Sequence, residues 1–174
     1  MKVALTFTAA LLVSVGMARG QAVTESKTIG GKTIVITYSS PKVNNRVGKL
    51  FGKDGRIGQD PTYPVWRAGA NAATKFHTDA DLDVGALFVP KGDYTLYVDL
   101  TDPANWQLVI NKQTGQWGLT YNKDQDLGRV PMSMAKARGL VENLKYTLAD
   151  QGGNKGKLTL AWETVAASVP FTVK

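Results

Sequence analysis

The chain has no cysteine, which excludes disulfide bridges, thiol nucleophiles and thiolate metal ligands together. Histidine is nearly as scarce. His77 stands alone, with no His-x-x-x-His or comparable spacing, so a metal site would depend on carboxylates. No Gly-rich phosphate loop and no Gly-x-Ser-x-Gly elbow occurs. Ser39, Ser40, His77 and several aspartates can be assembled into a triad only on paper. Acidic residues are outnumbered, and the formal net charge is +7. Beyond residue 20 no stretch reaches the roughly 20 apolar residues that a membrane-spanning helix needs.

What is present begins with a leader. Lys2 precedes an apolar stretch, Val3 to Met17, and Ala18-Arg19-Gly20 places small residues where a signal peptidase cuts. The expectation is a signal peptide over residues 1–20, with Ala22 as the alternative cleavage point, and a single domain over residues 21–174. A membrane anchor is the competing reading, but the stretch is short. Localisation is expected to be periplasmic or secreted, without a lipid anchor or a membrane span after cleavage. Removing Lys2 and Arg19 leaves nineteen basic and fourteen acidic residues, a net charge of +5. Lys42, Arg46, Lys49, Lys53 and Arg56 crowd one loop, whereas Thr78 to Asp102 holds six aspartates against Lys91.

The rest of the chain alternates. Ile34, Ile36 and Tyr38 share one face of an extended segment, as do Tyr94, Leu96, Val98 and Leu100. The same period recurs in Trp106, Leu108 and Ile110, in Leu144, Tyr146 and Leu148, in Leu158, Leu160 and Trp162, and in Val169, Phe171 and Val173. Gly30-Gly31, Pro90-Lys91-Gly92, Asp102-Pro103-Ala104-Asn105 and Gln151-Gly152-Gly153-Asn154 supply turns between these runs. Met132 to Leu144 is expected to be strand and loop, with at most a short helical turn. About eight to ten strands of this kind predict an all-β protein, a single antiparallel β-sandwich of immunoglobulin-like or jelly-roll type.

Two segments carry a more specific signal. Val65-Trp66-Arg67-Ala68-Gly69-Ala70-Asn71 follows Tyr38-Ser39-Ser40-Pro41 and precedes Gly92-Asp93-Tyr94-Thr95-Leu96 and Asn111-Lys112-Gln113-Thr114-Gly115-Gln116-Trp117-Gly118. In combination they resemble an exported bacterial family, domain of unknown function 2911, over roughly Lys27 to Lys174. The resemblance implies export and a single β domain, and it brings no catalytic residue or cofactor with it. Two departures stand out. Family members tend to carry an acid directly after Gly-Ala-Asn, where this chain has Ala72, and the loop from Val43 to Pro64 is longer and more basic than usual.

The residues around the motif suit recognition. A guanidinium fork at Arg67, an amide at Asn71 and an indole at Trp66 fit a carboxylate, phosphate or sugar. Asn111, Lys112 and Trp117 are candidate contributors if the fold brings them near. Arg46, Lys49, Lys53 and Arg56 form a second candidate, an anion-contacting loop. Each has a plainer reading: Arg67 as a lock on loop carbonyls, Trp66 and Trp117 as core, the basic loop as a solvated surface. Asp79, Asp81 and Asp83 alternate like calcium ligands, but Val84 and Pro90 occupy the positions where an EF-hand requires Gly and Glu. The sequence therefore predicts a binding module for a small anionic or sugar-like ligand, without cofactor, metal, catalytic residues or nucleic-acid partner. The alternatives are a structural or protein-interaction domain and, third, a hydrolase of envelope material.

Overall fold

Alternation decides the core. In the computed structural model, which describes residues 22–174, every apolar position in the alternating sets above is buried. The expected signal segment, residues 1–20, lies outside the described residues. Strands β1 (Ala22–Ile29) and β2 (Lys32–Ser39) form a hairpin whose turn, Gly30-Gly31, has φ of 58° and 74°. That is the left-handed pair which glycine accepts without a Cβ clash. Then come β3 (Val65–Trp66), β4 (Thr74–Thr78), β5 (Leu82–Val84) and β6 (Leu87–Val89). They are followed by β7 (Gly92–Asp99), β8 (Gln107–Asn111), β9 (Asp126–Pro131), β10 (Ser133–Asp150) and β11 (Lys155–Val173).

The strands make two antiparallel sheets, neither of them closed. One runs β1-β2-β4-β7-β8-β9, with β3 on β7, and the other runs β10-β11-β5-β6. Side chains from both sheets share one large cluster of buried residues. No helix among the described residues is long and apolar enough to cross a membrane.

At one side the two sheets are joined edge to edge. The Leu148 N–H donates to the Glu25 carboxylate at 3.0 Å, and the Tyr146 N–H donates to the Tyr38 hydroxyl at 3.2 Å. Beside them Lys42 bridges to Asn143, and the Leu144 N–H donates to the Pro41 carbonyl at 2.9 Å. These contacts occupy donors that a bare strand edge would leave open.

The segment expected to be strand and loop, Met132 to Leu144, is mostly the first part of the long strand β10. Its pairing is imposed by β11 across the Gln151–Asn154 turn, and Gly139 falls where the register slips between Lys136 and Val141. A bulge absorbs the glycine without ending the strand.

Candidate functional site

β3 and β4 lie end to end along β7. Trp66 pairs with Val98 and Thr74 with Leu96, so Tyr97 alone separates the two partners on β7, while residues 67–73 separate them on the other side. Those residues are extruded from the sheet as a loop. Asn71 sits at φ 60° and Ala68 at φ 46°; asparagine tolerates that region, whereas alanine is strained there. The Ala70 N–H donates to the Ser39 carbonyl at 3.1 Å, and the Thr74 and Tyr146 hydroxyls donate to the Ala68 carbonyl at 3.2 and 3.1 Å. At Gly69 a Cβ would lie 2.9 Å from the Thr74 hydroxyl, so the close approach there calls for glycine.

The second motif segment closes on the same loop. Ala72 bridges to Trp117, the Gly118 N–H donates to the Asn71 carbonyl at 2.9 Å, and the Ala73 N–H donates to the Gln116 carbonyl at 3.3 Å. A Cβ on Gly118 would overlap the Cδ of Arg67, so the glycine makes room for the arginine stem. The Tyr-Ser-Ser-Pro segment contributes as well. Besides Tyr38 and Ser39, Ser40 donates to the Leu144 carbonyl at 2.6 Å.

Trp66 points inward. Its ring stacks on Trp162 with centroids 5.8 Å apart and planes 14° apart, and Phe51 and Trp106 pack around the pair. Arg67 has only 14% of its side chain exposed, and no hydrogen-bond acceptor meets its guanidinium among the described residues. Nε and Nη1 are buried without a partner, while Nη2 stands 3.6 Å from an Asp60 carboxylate oxygen, beyond hydrogen-bond reach. Burial draws the Arg67 pKa below its ordinary value, Asp60 opposes that shift, and Arg56 adds to it. A buried guanidinium without acceptors is costly, and native folds seldom leave one so.

Around Arg67 lies a cavity of about 160 Å³, lined by Pro41, Arg46, Arg56, Ile57, Asp60, Trp66, Arg67, Gly69, Ala70 and Trp162. The Trp162 Nε1–H is also buried without a partner. Asp60 bridges Arg67 and Arg56, each at 3.6 Å. The roof is the loop between β2 and β3, seated by buried Val43, Leu50 and Ile57. Glu163 fixes it to β11 by accepting the Gly48 N–H. Three arginines against one aspartate leave the lining net positive.

The sequence-predicted residues divide. Trp66 and Arg67 line this cavity, and so do Arg46 and Arg56 from the basic loop, whereas Lys49 and Lys53 are exposed and do not. Asn71 serves the loop with its backbone. Asn111 is buried, donating to the Asn122 carbonyl and to Asp126 at 2.9 and 2.8 Å, and Lys112 is exposed; neither lines the cavity. Trp117, for which a core position was one expectation, is 55% exposed. Its bridge to Ala72 holds it on a surface loop. Asp60, Trp162, Ile57 and Pro41 were not foreseen.

A larger open groove of about 390 Å³ lies over β2, β4 and β7, with His77 in its lining. There the ring nitrogens are already engaged by Asp93 at 2.8 Å and Asp79 at 3.0 Å. No group of three or more His, Asp or Glu side chains among the described residues is placed to hold a metal ion.

Residues 20–171 match the model of a family described as "Protein of unknown function (DUF2911)". No curated protein and no solved structure matches the chain.

Proposed function

The chain belongs to the DUF2911 family, and we propose that it is an exported β-sandwich binding module whose site is the cavity at Arg67. Its ligand is a small anionic or sugar-like molecule of the cell envelope, in the periplasm or outside the cell. The observation that carries the reading is Arg67, a mostly buried guanidinium with no hydrogen-bond acceptor, in the lining of a net-positive cavity. A ligand oxygen at Arg67 Nη2, the guanidinium nitrogen that is not enclosed, would accept a charge-assisted hydrogen bond while the stacked indoles exclude water. Export rests on the pattern of residues 1–20.

The test is a thermal-shift screen of envelope sugars, carboxylates and phosphates on the wild type and on Arg67→Ala. The expected result is a rise in Tm with at least one compound that disappears in the variant while its far-UV circular dichroism is unchanged. No rise with any compound, or an equal rise in the variant, would sink the reading.

A second reading, a protein-interaction domain, is favoured by a different observation. Leu140 on β10 and Val47 in the loop above β3 are each more than half exposed. Exposed aliphatic side chains beside basic Lys136 and Arg138 suit a partner surface. Loss of a partner from envelope pull-downs with Leu140→Glu, and not with Arg67→Ala, would favour it. A hydrolase has less behind it, because Asp60, the one carboxylate lining the cavity, is held between two guanidiniums.

A further inference from the structure

We infer that the outward face of the larger sheet, at the groove over β2, β4 and β7, is a second binding site, and that it takes a chain of a neutral polysaccharide. Register builds the face. Ile34, Ile36, Phe76 and Tyr94 are buried between the sheets, so the residues that alternate with them point outward. Two rows of these cross the strands: Ser26, Val35, His77 and Asp93 in one, Thr24, Thr37, Lys75 and Thr95 in the other. The chain beyond β8 folds back over the β7 end of the second row. There the Thr95 hydroxyl donates to the Gln113 carbonyl at 2.7 Å, and the Gln116 amide donates to the Thr95 and Tyr97 hydroxyls at 3.2 and 3.0 Å. Thr114 and Gly115 are thereby held as a wall beside a floor of Thr37, Lys75 and His77.

The groove, about 390 Å³, does not end at that floor. A further hollow of about 150 Å³ shares Thr37 and Lys75 with it and carries it on to Ala72. An open trough of this size suits a chain lying along it better than one enclosed small molecule. An exposed indole stands at the far end. Trp117 is 55% exposed and directly opposite Ala72. Residues directly opposed in an antiparallel pair set their side chains on one face, which puts the indole beside the hollow that Ala72 lines. The C–H face of a pyranose packs on such a ring while its hydroxyls stay in water.

Chemistry selects the occupant. The hydroxyls of Thr37 and Thr114 each donate and accept, as those of a sugar do. Lys75 and Asp93 give the lining one charge of each sign, and the His77 ring is held between Asp79 and Asp93, so no uncompensated positive charge awaits a polyanion. The neighbouring outward positions on the β1–β2 hairpin, Thr24, Ser26, Thr28 and Thr33, are likewise hydroxyl-bearing and uncharged. In a chain of net charge +7 such a face is matched to a ligand rich in hydroxyls and without charge.

Titration calorimetry at fixed ionic strength tests this with cellohexaose, maltohexaose, the hexamer of N-acetylglucosamine and hexagalacturonate as probes. The proteins are the wild type, Trp117→Ala, Thr37→Arg and Phe88→Ala, the last removing a comparably exposed aromatic from the other sheet. At least one neutral hexamer should bind tenfold or more tightly than its own monosaccharide and than hexagalacturonate. Trp117→Ala should weaken it at least fivefold, and so should Thr37→Arg, which sets a bulky cation where the two hollows meet. Phe88→Ala should bind as the wild type does, and unaltered far-UV circular dichroism would certify that the variants are folded. The inference is overturned if no neutral hexamer binds at millimolar concentration, if hexagalacturonate binds as tightly as the neutral chains, or if Thr37→Arg tightens binding. Affinity indifferent to Trp117→Ala and Thr37→Arg, or lost equally in Phe88→Ala, overturns it as well. Arg67 lines neither hollow, so failure here leaves the reading of its cavity intact.

Discussion

Gly118 and Arg67 are far apart in sequence, yet the glycine exists for the arginine. A side chain at 118 would overlap the Arg67 stem and bring its Cβ to 2.6 Å from the Asn71 carbonyl oxygen. Gly118→Ala should therefore cost about 1–3 kcal/mol of stability, the usual range for overpacking, measured as a lower urea midpoint at constant slope. It should also disturb the seat of Arg67. At this scale the sequence allowed a partial reading. Trp66 and Arg67 were singled out as a guanidinium fork beside an indole, and both line the cavity. Asn71 was picked for its side-chain amide, whereas the fold uses its backbone, through a left-handed φ and a carbonyl that accepts from Gly118. Pro41, Ile57, Asp60 and Trp162 were not legible, because only tertiary packing brings the β2–β3 loop and β11 to the motif.

Strands were the most legible elements, since one face of each is buried and a period of two records that directly. The extent of β10 was less so. Its first half is largely exposed, so burial wrote no alternation there, and pairing with β11 alone makes it a strand. The aspartates that mimic a calcium loop are each used by neighbouring elements. Asp81 accepts the Lys91 N–H at 2.8 Å, Asp83 meets the Lys174 ammonium at 2.6 Å, and Asp79 holds His77. His77 on β4 also faces Asp93, its cross-strand partner on β7. Hydrogen bonds to Asp79 and Asp93 raise the His77 pKa above 6.5, and His77 lowers that of Asp79 below 3.8. A raised histidine stabilises the fold fully below its unfolded pKa and loses that contribution as pH climbs through the folded value. A lowered aspartate stabilises above its unfolded pKa and loses that as pH falls through the folded value. Both contributions operate together between about pH 4 and 6.5. The Tm difference between wild type and His77→Gln should be widest in that window, shrink toward pH 9, and narrow in 1 M salt because the pairs are exposed. A difference that ignores pH would refute the assignment.

Across the whole molecule, stability has to come from burial and backbone pairing, because no sulfur bridge is available. Three of the four tryptophans make this measurable. Trp66 belongs to the larger sheet, Trp162 to the smaller, and Trp106 sits just before β8; together with Phe51 they touch across the space between the sheets. Their fluorescence reports sheet-on-sheet packing, whereas far-UV circular dichroism reports the strands themselves. The second signal can outlast the first only if one sheet survives without the other. Each sheet alone would expose a row of core side chains, among them Ile34, Ile36 and Leu96 on one and Leu148, Leu158 and Val169 on the other. Exposing such rows costs about 1.5–3 kcal/mol per large aliphatic or aromatic side chain, which together exceed the 5–15 kcal/mol that ordinarily separates folded from unfolded. Neither sheet should therefore persist by itself. Urea unfolding should give coincident midpoints by both probes, unmoved by reductant, with exposed Trp117 adding only a constant red-shifted background to the emission. Midpoints that separate, with dichroism retained after the tryptophan signal is lost, would mean that the sheets are held independently and that the cavity at Arg67, built from both, can open without global unfolding.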